Sequence, residues 1–471
     1  MQNTKLFALL HSFSTREWRK FSEFLHSPFF NKKEELTQFY DCLYQVCRQG
    51  PGPLMRLEKQ SLHQLAFPDQ QYDEKQFNHL SSQLSLLAEK FLGLMTYEQD
   101  GILKEYHQLQ ACVERSLSKN VNYLSQKVEK KLTSLPYQNA DYYFQKYLYY
   151  QLRDQYFTQQ KIRKFDQNLL QASQYFDCYF LSKKLSLLCA TLERQRIFAQ
   201  QEAVPLEKEL LEIVKTGQFM DQPPIALYGS ILLMLKEEKK VQHYQNFRSL
   251  FKDYQSHFSP NEIQLFYQFA INYCSRKIRF GDKSYAKEML ALYQESLAGG
   301  YLLENDQISP WAYKNIVKLG LGLQRFNWVE SFIREFTPKL PEDKKQDAFH
   351  FNLADLYYHR KAYNEALQQL NVLEFSDVHY KLDARIILLK IYYETQEYEA
   401  LDSLISSFRI FLLRHKEITK AVKTPYLNFL SILNRMLTQG QTKAIAIESK
   451  IQQTNTLSSR SWLLAEVRKL K

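Results

Sequence analysis

A helical hairpin is written into this chain twice, 35 positions apart. Leu353, Leu356, Tyr357, Tyr358, Tyr363 and Leu370 recur as Leu388, Ile391, Tyr392, Tyr393, Tyr398 and Ile405. Within each copy the large residues keep the three- and four-residue steps of an amphipathic helix, and a second run starts after a short break. Self-similarity on a period of roughly 20–50 residues marks units that cannot bury their apolar faces alone and must stack on their neighbours. The pattern predicts an all-α chain built from helical hairpins.

Composition narrows the function classes. Only 12 Gly and 13 Pro occur in 471 residues, which leaves no glycine-rich loop to cradle a phosphate. The GxGxxG, P-loop, HExxH and GxSxG patterns are all absent from the sequence. The 11 histidines are dispersed. His107 and Cys112 would fall on different sides of a helix, and a zinc site needs three or four converging ligands. No metal, no cofactor and no catalytic residue is expected, and the chain reads as non-enzymatic. Six cysteines without a CxxC pair read as reduced, mostly buried thiols. The longest apolar runs, such as Ile231 to Leu235, fall far short of the ~18 residues that span a bilayer. The first residues lack the apolar core of a secretory signal. The expectation is a cytoplasmic protein with no membrane insertion.

Start and stop signals divide the chain into helices. Ser14 with Glu17 makes a capping box, and Asn31 with Glu34 looks like another cap. Gly50-Pro51-Gly52-Pro53 is the clearest loop. Phe77, Leu80, Leu84, Leu87, Phe91 and Leu94 form one narrow stripe, as on a bundle helix. The stretch from Tyr142 to Phe157 is apolar all round, with tyrosines, phenylalanines and leucines on every side of a helix, so neighbours should cover it from several directions. Ser259-Pro260 and Ser309-Pro310 each open a helix, since serine caps and proline is tolerated in the first turn. Four regions follow: an N-terminal helical bundle (1–100), a long-helix aromatic-rich region (101–222), helical repeats (223–414) and C-terminal capping helices (415–471).

The segment FHFNLADLYYHRKAYNEALQQLNVLEF (349–375) resembles a tetratricopeptide repeat in Leu353-Ala354, Tyr357, Tyr363, Ala366 and Leu370. The next unit keeps Leu388, Tyr392 and Tyr398 but has Leu389 and Leu401 where small residues are usual. The preceding unit keeps Phe326 and Ile333, with Gly320 in the tyrosine place and Val329 in the alanine place. The segment FLHSPFFNKKEEL near the N-terminus is similar to one found in uncharacterised bacterial helical proteins. The repeat resemblance implies a TPR-like α-solenoid whose concave face holds an extended peptide or a partner's helix. The residues it places toward that groove are Lys314, Lys318, Asp355, Tyr358, His359, Lys390 and Tyr393. The full Lys/Asn/Arg set that some members use to clamp a C-terminal carboxylate is missing.

The leading expectation is therefore a scaffold or adaptor that binds a protein or peptide partner. A nucleic-acid binder is the competing one. Residues 101–200 carry 15 basic against 8 acidic side chains, most of the net charge of +11. Lys161, Arg163 and Lys164 follow directly on the tyrosine-rich helix, and aromatics beside cations can stack single-stranded bases.

Overall fold

The computed structural model describes residues 4–47, 58–198, 202–371, 378–415 and 418–470. The Gly50–Pro53 loop lies outside them. The fold is all-α: the only strands among the described residues are a two-residue pair. The chain forms two compact units, Met1–His257 and Phe258–Lys471.

The first unit opens with α1 (Lys5–His11), α2 (Thr15–His26), α3 (Glu34–Cys47), α4 (Lys59–Ala66) and α5 (Glu74–Gln99). Ser14 and Glu17 make the expected capping box at α2. Asn31 acts differently from the expected cap: its amide donates to the Leu25 and Lys33 carbonyls while its oxygen accepts from the Lys33 amide. It organises the turn between α2 and α3 rather than capping α3, because α3 begins three residues later. The stripe on α5 is the spine of this bundle, with Phe77, Leu80, Leu84 and Phe91 buried and Leu87 and Leu94 packed at its margin. Phe21 on α2 is fully buried at the centre and meets the rings of Phe13, Phe24, Tyr40 and Phe91.

Beyond the bundle come α6 (Gly101–Glu114), α7 (Ser118–Thr133), α8 (Ala140–Gln159), α9 (Asn168–Phe198), α10 (Glu207–Thr216), α11 (Pro223–Lys236) and α12 (Val241–Tyr254). Helix α8 is covered from several directions, as its composition requires, by α6, α7 and α9. Glu105 of α6 is buried and holds Lys127 and Lys131 of α7 at 2.9 and 2.7 Å. Helix α11 is apolar all round and buried, packed on α9, α10 and α12. That packing keeps α11 and α12 in the first unit, although their sequence reads as the start of the repeats.

The second unit contains α13 (Pro260–Arg279), α14 (Tyr285–Ala298), α15 (Pro310–Gly322), α16 (Phe326–Phe336), α17 (Lys345–His359), α18 (Tyr363–Asn371), α19 (Val378–Glu394), α20 (Tyr398–Arg414), α21 (Lys420–Gln453) and α22 (Arg460–Lys469). Ser259 and Glu262 cap α13 reciprocally. Between α14 and α15 a small hairpin pairs Leu303–Glu304 with Gln307–Ile308. Its two-residue turn puts Asn305 and Asp306 at φ 51° and 61°, a left-handed pair that Asn and Asp tolerate best after glycine.

Three consecutive hairpins share one closing device. Gln324, Lys361 and Gln396 all take positive φ just past the first helix of their pairs. The next amide in each case reaches back five residues, Arg325 to Gly320, Ala362 to Tyr357 and Glu397 to Tyr392, at 2.9 Å each. This is the six-to-one bond of a Schellman stop, made without glycine. Within this unit the first helices α15, α17 and α19 pack on one another in order.

The departure from the repeat pattern at Gly320 and Val329 has a physical reason. A Cβ placed on Gly320 would run into Cγ2 of Val329. The large and small partners of the helix crossing have changed places, so the space is still filled. Gly320→Ala gains about 1 kcal/mol of helix propensity but overpacks a closed contact, at a cost of roughly 1–3 kcal/mol. Thermal melting should show a net loss of stability, even though alanine is the better helix former.

Candidate functional site

Each first helix of the three repeated hairpins presents charge one or two turns apart on a single face: Lys314 and Lys318 on α15, Asp355 and His359 on α17, Asp383 and Lys390 on α19. Spacings of four and seven residues put such pairs on one face of a helix. The stacking of these helices brings Lys318, Asp355, His359, Asp383 and Lys390 around one cavity of about 280 Å³, with Phe351 and Ile387 as its apolar wall and Ser458 and Ser459 at its edge.

Asp383 is the centre of the charge network. Lys314 Nζ stands 2.9 Å from its carboxylate and Lys318 Nζ 3.9 Å away. Tyr426 of α21 donates to its other oxygen at 2.7 Å. Burial alone would raise the Asp383 pKa, but the two ammonium groups and the two hydrogen bonds hold it below the ordinary aspartate range. His359 Nδ1 lies 2.8 Å from the Asp355 carbonyl and 3.3 Å from its carboxylate. Burial lowers the affinity of His359 for its proton, and Asp355 more than reverses that.

Lys390 differs from these. Its ammonium lies over the rings of Tyr358 and Trp462, 5.5 and 5.9 Å from their centres. Among the described residues it has no hydrogen bond and no ion pair. Desolvation pushes its pKa down, against the pull of Asp355, Glu394 and Asp383.

Five of the seven residues expected at the groove therefore meet here: Lys318, Asp355, His359 and Lys390 line the cavity, and Lys314 holds its central carboxylate. Tyr358 and Tyr393 are placed elsewhere. Tyr358 is 8% exposed and donates to Glu394 at 2.5 Å. Tyr363 donates to the other Glu394 oxygen at 2.5 Å, and the Trp462 indole N–H to the first at 2.7 Å. Tyr393 packs edge-on against Trp462, with ring centres 5.4 Å apart. Both tyrosines thus fasten α22 to the repeats instead of lining the cavity.

Two other cavities offer less chemistry. One, about 590 Å³, is lined by amides (Gln264, Gln268, Asn305, Gln307, Asn315) with Trp311 at its rim. The other, about 560 Å³, lies in the N-terminal bundle beside Asp41 and Cys42. Among the described residues no group of three or more His, Cys, Asp or Glu could hold a metal ion, and no helix is long and apolar enough to cross a membrane. Cys42, Cys112, Cys178, Cys189 and Cys274 are free thiols.

Two tyrosines of the basic region are buried and most of the others half-buried, while Tyr123 is exposed. Tyr143 and Tyr149 are buried, and burial drives both hydroxyl pKa values up, that of Tyr149 to about 12. Lys146 is held between the rings of Tyr142 and Tyr175, 4.7 and 4.8 Å from their centres.

No protein-family model, no curated protein and no solved structure matches the chain.

Proposed function

We propose that the hairpins of the second unit form a TPR-like solenoid and that the protein is a non-enzymatic adaptor. A partner protein lies along the first helices and seats a carboxylate against Lys390 and Lys318. The observation that carries this reading is the unpaired Lys390 ammonium at the wall of a cavity. A partly desolvated ammonium that no carboxylate contacts directly is costly in a folded protein, and an incoming carboxylate would supply the missing contact. Asp383 and Asp355, already matched by Lys314 and His359, set the register of the cation they leave free. The serines at the rim make no hydrogen bond to His359, so the Asp355–His359 pair has no nucleophile in hand, and binding accounts for the site better than chemistry. A cytoplasmic setting goes with the free thiols. Burial of Tyr143 and Tyr149 takes two rings of the expected stacking platform out of reach of a single strand, which favours the protein partner.

Affinity capture from nuclease-treated lysate of the source cells tests the reading. Lys390→Met with Lys318→Ala should weaken retention of the partner at least tenfold. Lys390→Met alone should raise the fold stability by roughly 1 kcal/mol, because a desolvated charge is removed from the free protein. A partner retained equally by the double variant would end the assignment of this cavity. Loss of every captured species on nuclease treatment would hand the function to nucleic acid.

A further inference from the structure

Helix α9 is apolar on two opposite faces, and only one of them is used. Cys178, Leu181, Leu185, Leu188 and Leu192 are buried on the inner face, which packs on α8 and α11. The outer face carries Leu169, Phe176, Phe180 and Leu187, which are 64, 44, 40 and 56% exposed. Their spacing is seven, four and seven residues, which aligns them as the a/d seam of a coiled coil. Helix α8 widens the seam: Phe144 packs on Tyr179 at 4.9 Å and Tyr147 on Phe176 at 5.1 Å. From Leu169 to Leu187 the seam runs about 27 Å at 1.5 Å per residue, the length of a five-turn helix.

The charge along this seam is one-sided. Lys183 sits between Phe180 and Leu187 on the same line, Lys184 lies beside it, and Arg194 continues the line seven residues beyond Leu187. All three are without an ion pair among the described residues. Asp177, at the flank, is the only acid of α9 between Leu169 and Leu187, and α8 brings Asp154, half-buried, seven residues beyond Tyr147. A second copy laid parallel on the same seam would set these cations against their own kind, and an antiparallel copy would set Lys183 and Lys184 against Ser173 and Ala172, so neither supplies an acid. The complement is apolar in its centre and acidic at its edges.

We propose that the outer seam of α9 docks an amphipathic helix of a partner protein, with leucine-like residues along its seam flanked by Asp and Glu. This surface is independent of the cavity around Lys390. It uses the helix-in-groove mode, in which a few apolar anchors supply affinity and rim charges supply choice and register.

The test is fluorescence anisotropy with the full chain and two labelled synthetic helices of 25 residues or so. One carries Leu at a and d with Glu on the flanks, and the other is identical with Lys for Glu. The acidic helix should bind at least tenfold more tightly than the basic one. Phe176→Ser with Phe180→Ser should weaken it tenfold or more at an unchanged melting temperature, since both rings are half exposed. Lys183→Glu with Lys184→Glu should invert the preference toward the basic helix, an outcome that misfolding does not produce. Lys390→Met should leave this binding unchanged and so separates the two sites. Equal binding of both helices, or of neither, overturns the proposal. So does a concentration-dependent dimer, an oligouridine complex or binding to phosphatidylserine vesicles that the Phe176→Ser/Phe180→Ser variant abolishes.

Discussion

Replacing Glu394 by leucine should destabilise the second unit by roughly 3 kcal/mol. One carboxylate there accepts from Tyr358, Tyr363 and Trp462. Hydrogen bonds to a charged acceptor contribute about 1.5–3 kcal/mol each, and a buried donor left unpaired costs about 1–3 kcal/mol. Tyr363 and Trp462 can turn to water, but Tyr358 is buried, so its loss dominates. Glu394→Gln keeps one acceptor oxygen and should lose about half as much. The same group carries a pH signature. Burial works to raise the Glu394 pKa, and the three donors outweigh it, leaving the folded value depressed. A depressed carboxylate stabilises fully above its unfolded pKa, and the benefit fades as pH falls through the folded one. Wild type should therefore lose stability on acidification below the ordinary glutamate range, and Glu394→Leu should lose less over that window. Denaturant melts at several pH values check both claims. Equal slopes for the two proteins would mean that the carboxylate is not ionised in the fold.

Phe21→Ala should be at least as damaging in the first unit, at roughly 3–5 kcal/mol. The ring is fully buried and touches four other aromatics drawn from three helices and a turn. Close-packed neighbours of that size cannot collapse into the space left behind. For a unit of this length the change corresponds to a fall of about 10 °C in its melting temperature. Phe21→Leu, which keeps most of the volume, should cost less than half as much. A shift of under about 2 °C for the alanine variant would show that the bundle core is misassigned.

What the residues disclosed in advance follows the range of the interaction concerned. Local rules worked: the Ser14/Glu17 cap, the stripe on α5 and the helix starts at Ser259-Pro260 and Ser309-Pro310 each depend on a few neighbouring positions. Asn31 misled because its side chain can serve a turn as readily as a helix end. The Asn305-Asp306 hairpin was missed because four strand residues carry no periodicity. The charged face of the site was visible, since Lys314/Lys318 and Asp355/His359 obey helix spacing. Asp383 was not, because its counterpart 35 positions earlier is Ala348, and the repeat gave no cue. Tyr358 reads as a groove residue because it lies off the packing stripe of its own hairpin. Its cover, Trp462, arrives from a helix a hundred residues further on, and no periodic pattern reports that.

The exchange of sizes at Gly320 and Val329 bears on how such a chain can change over generations. Restoring a bulky residue at position 320 alone drives it into Val329. Shrinking Val329 to alanine alone leaves a hole of two methyl groups beside a glycine. Either first step should lower stability, yet the pair together should be tolerated, so the effect of each substitution reverses sign with the state of the other. A chain moving between this packing and the reverse one must therefore pass through a less stable intermediate, whichever substitution comes first.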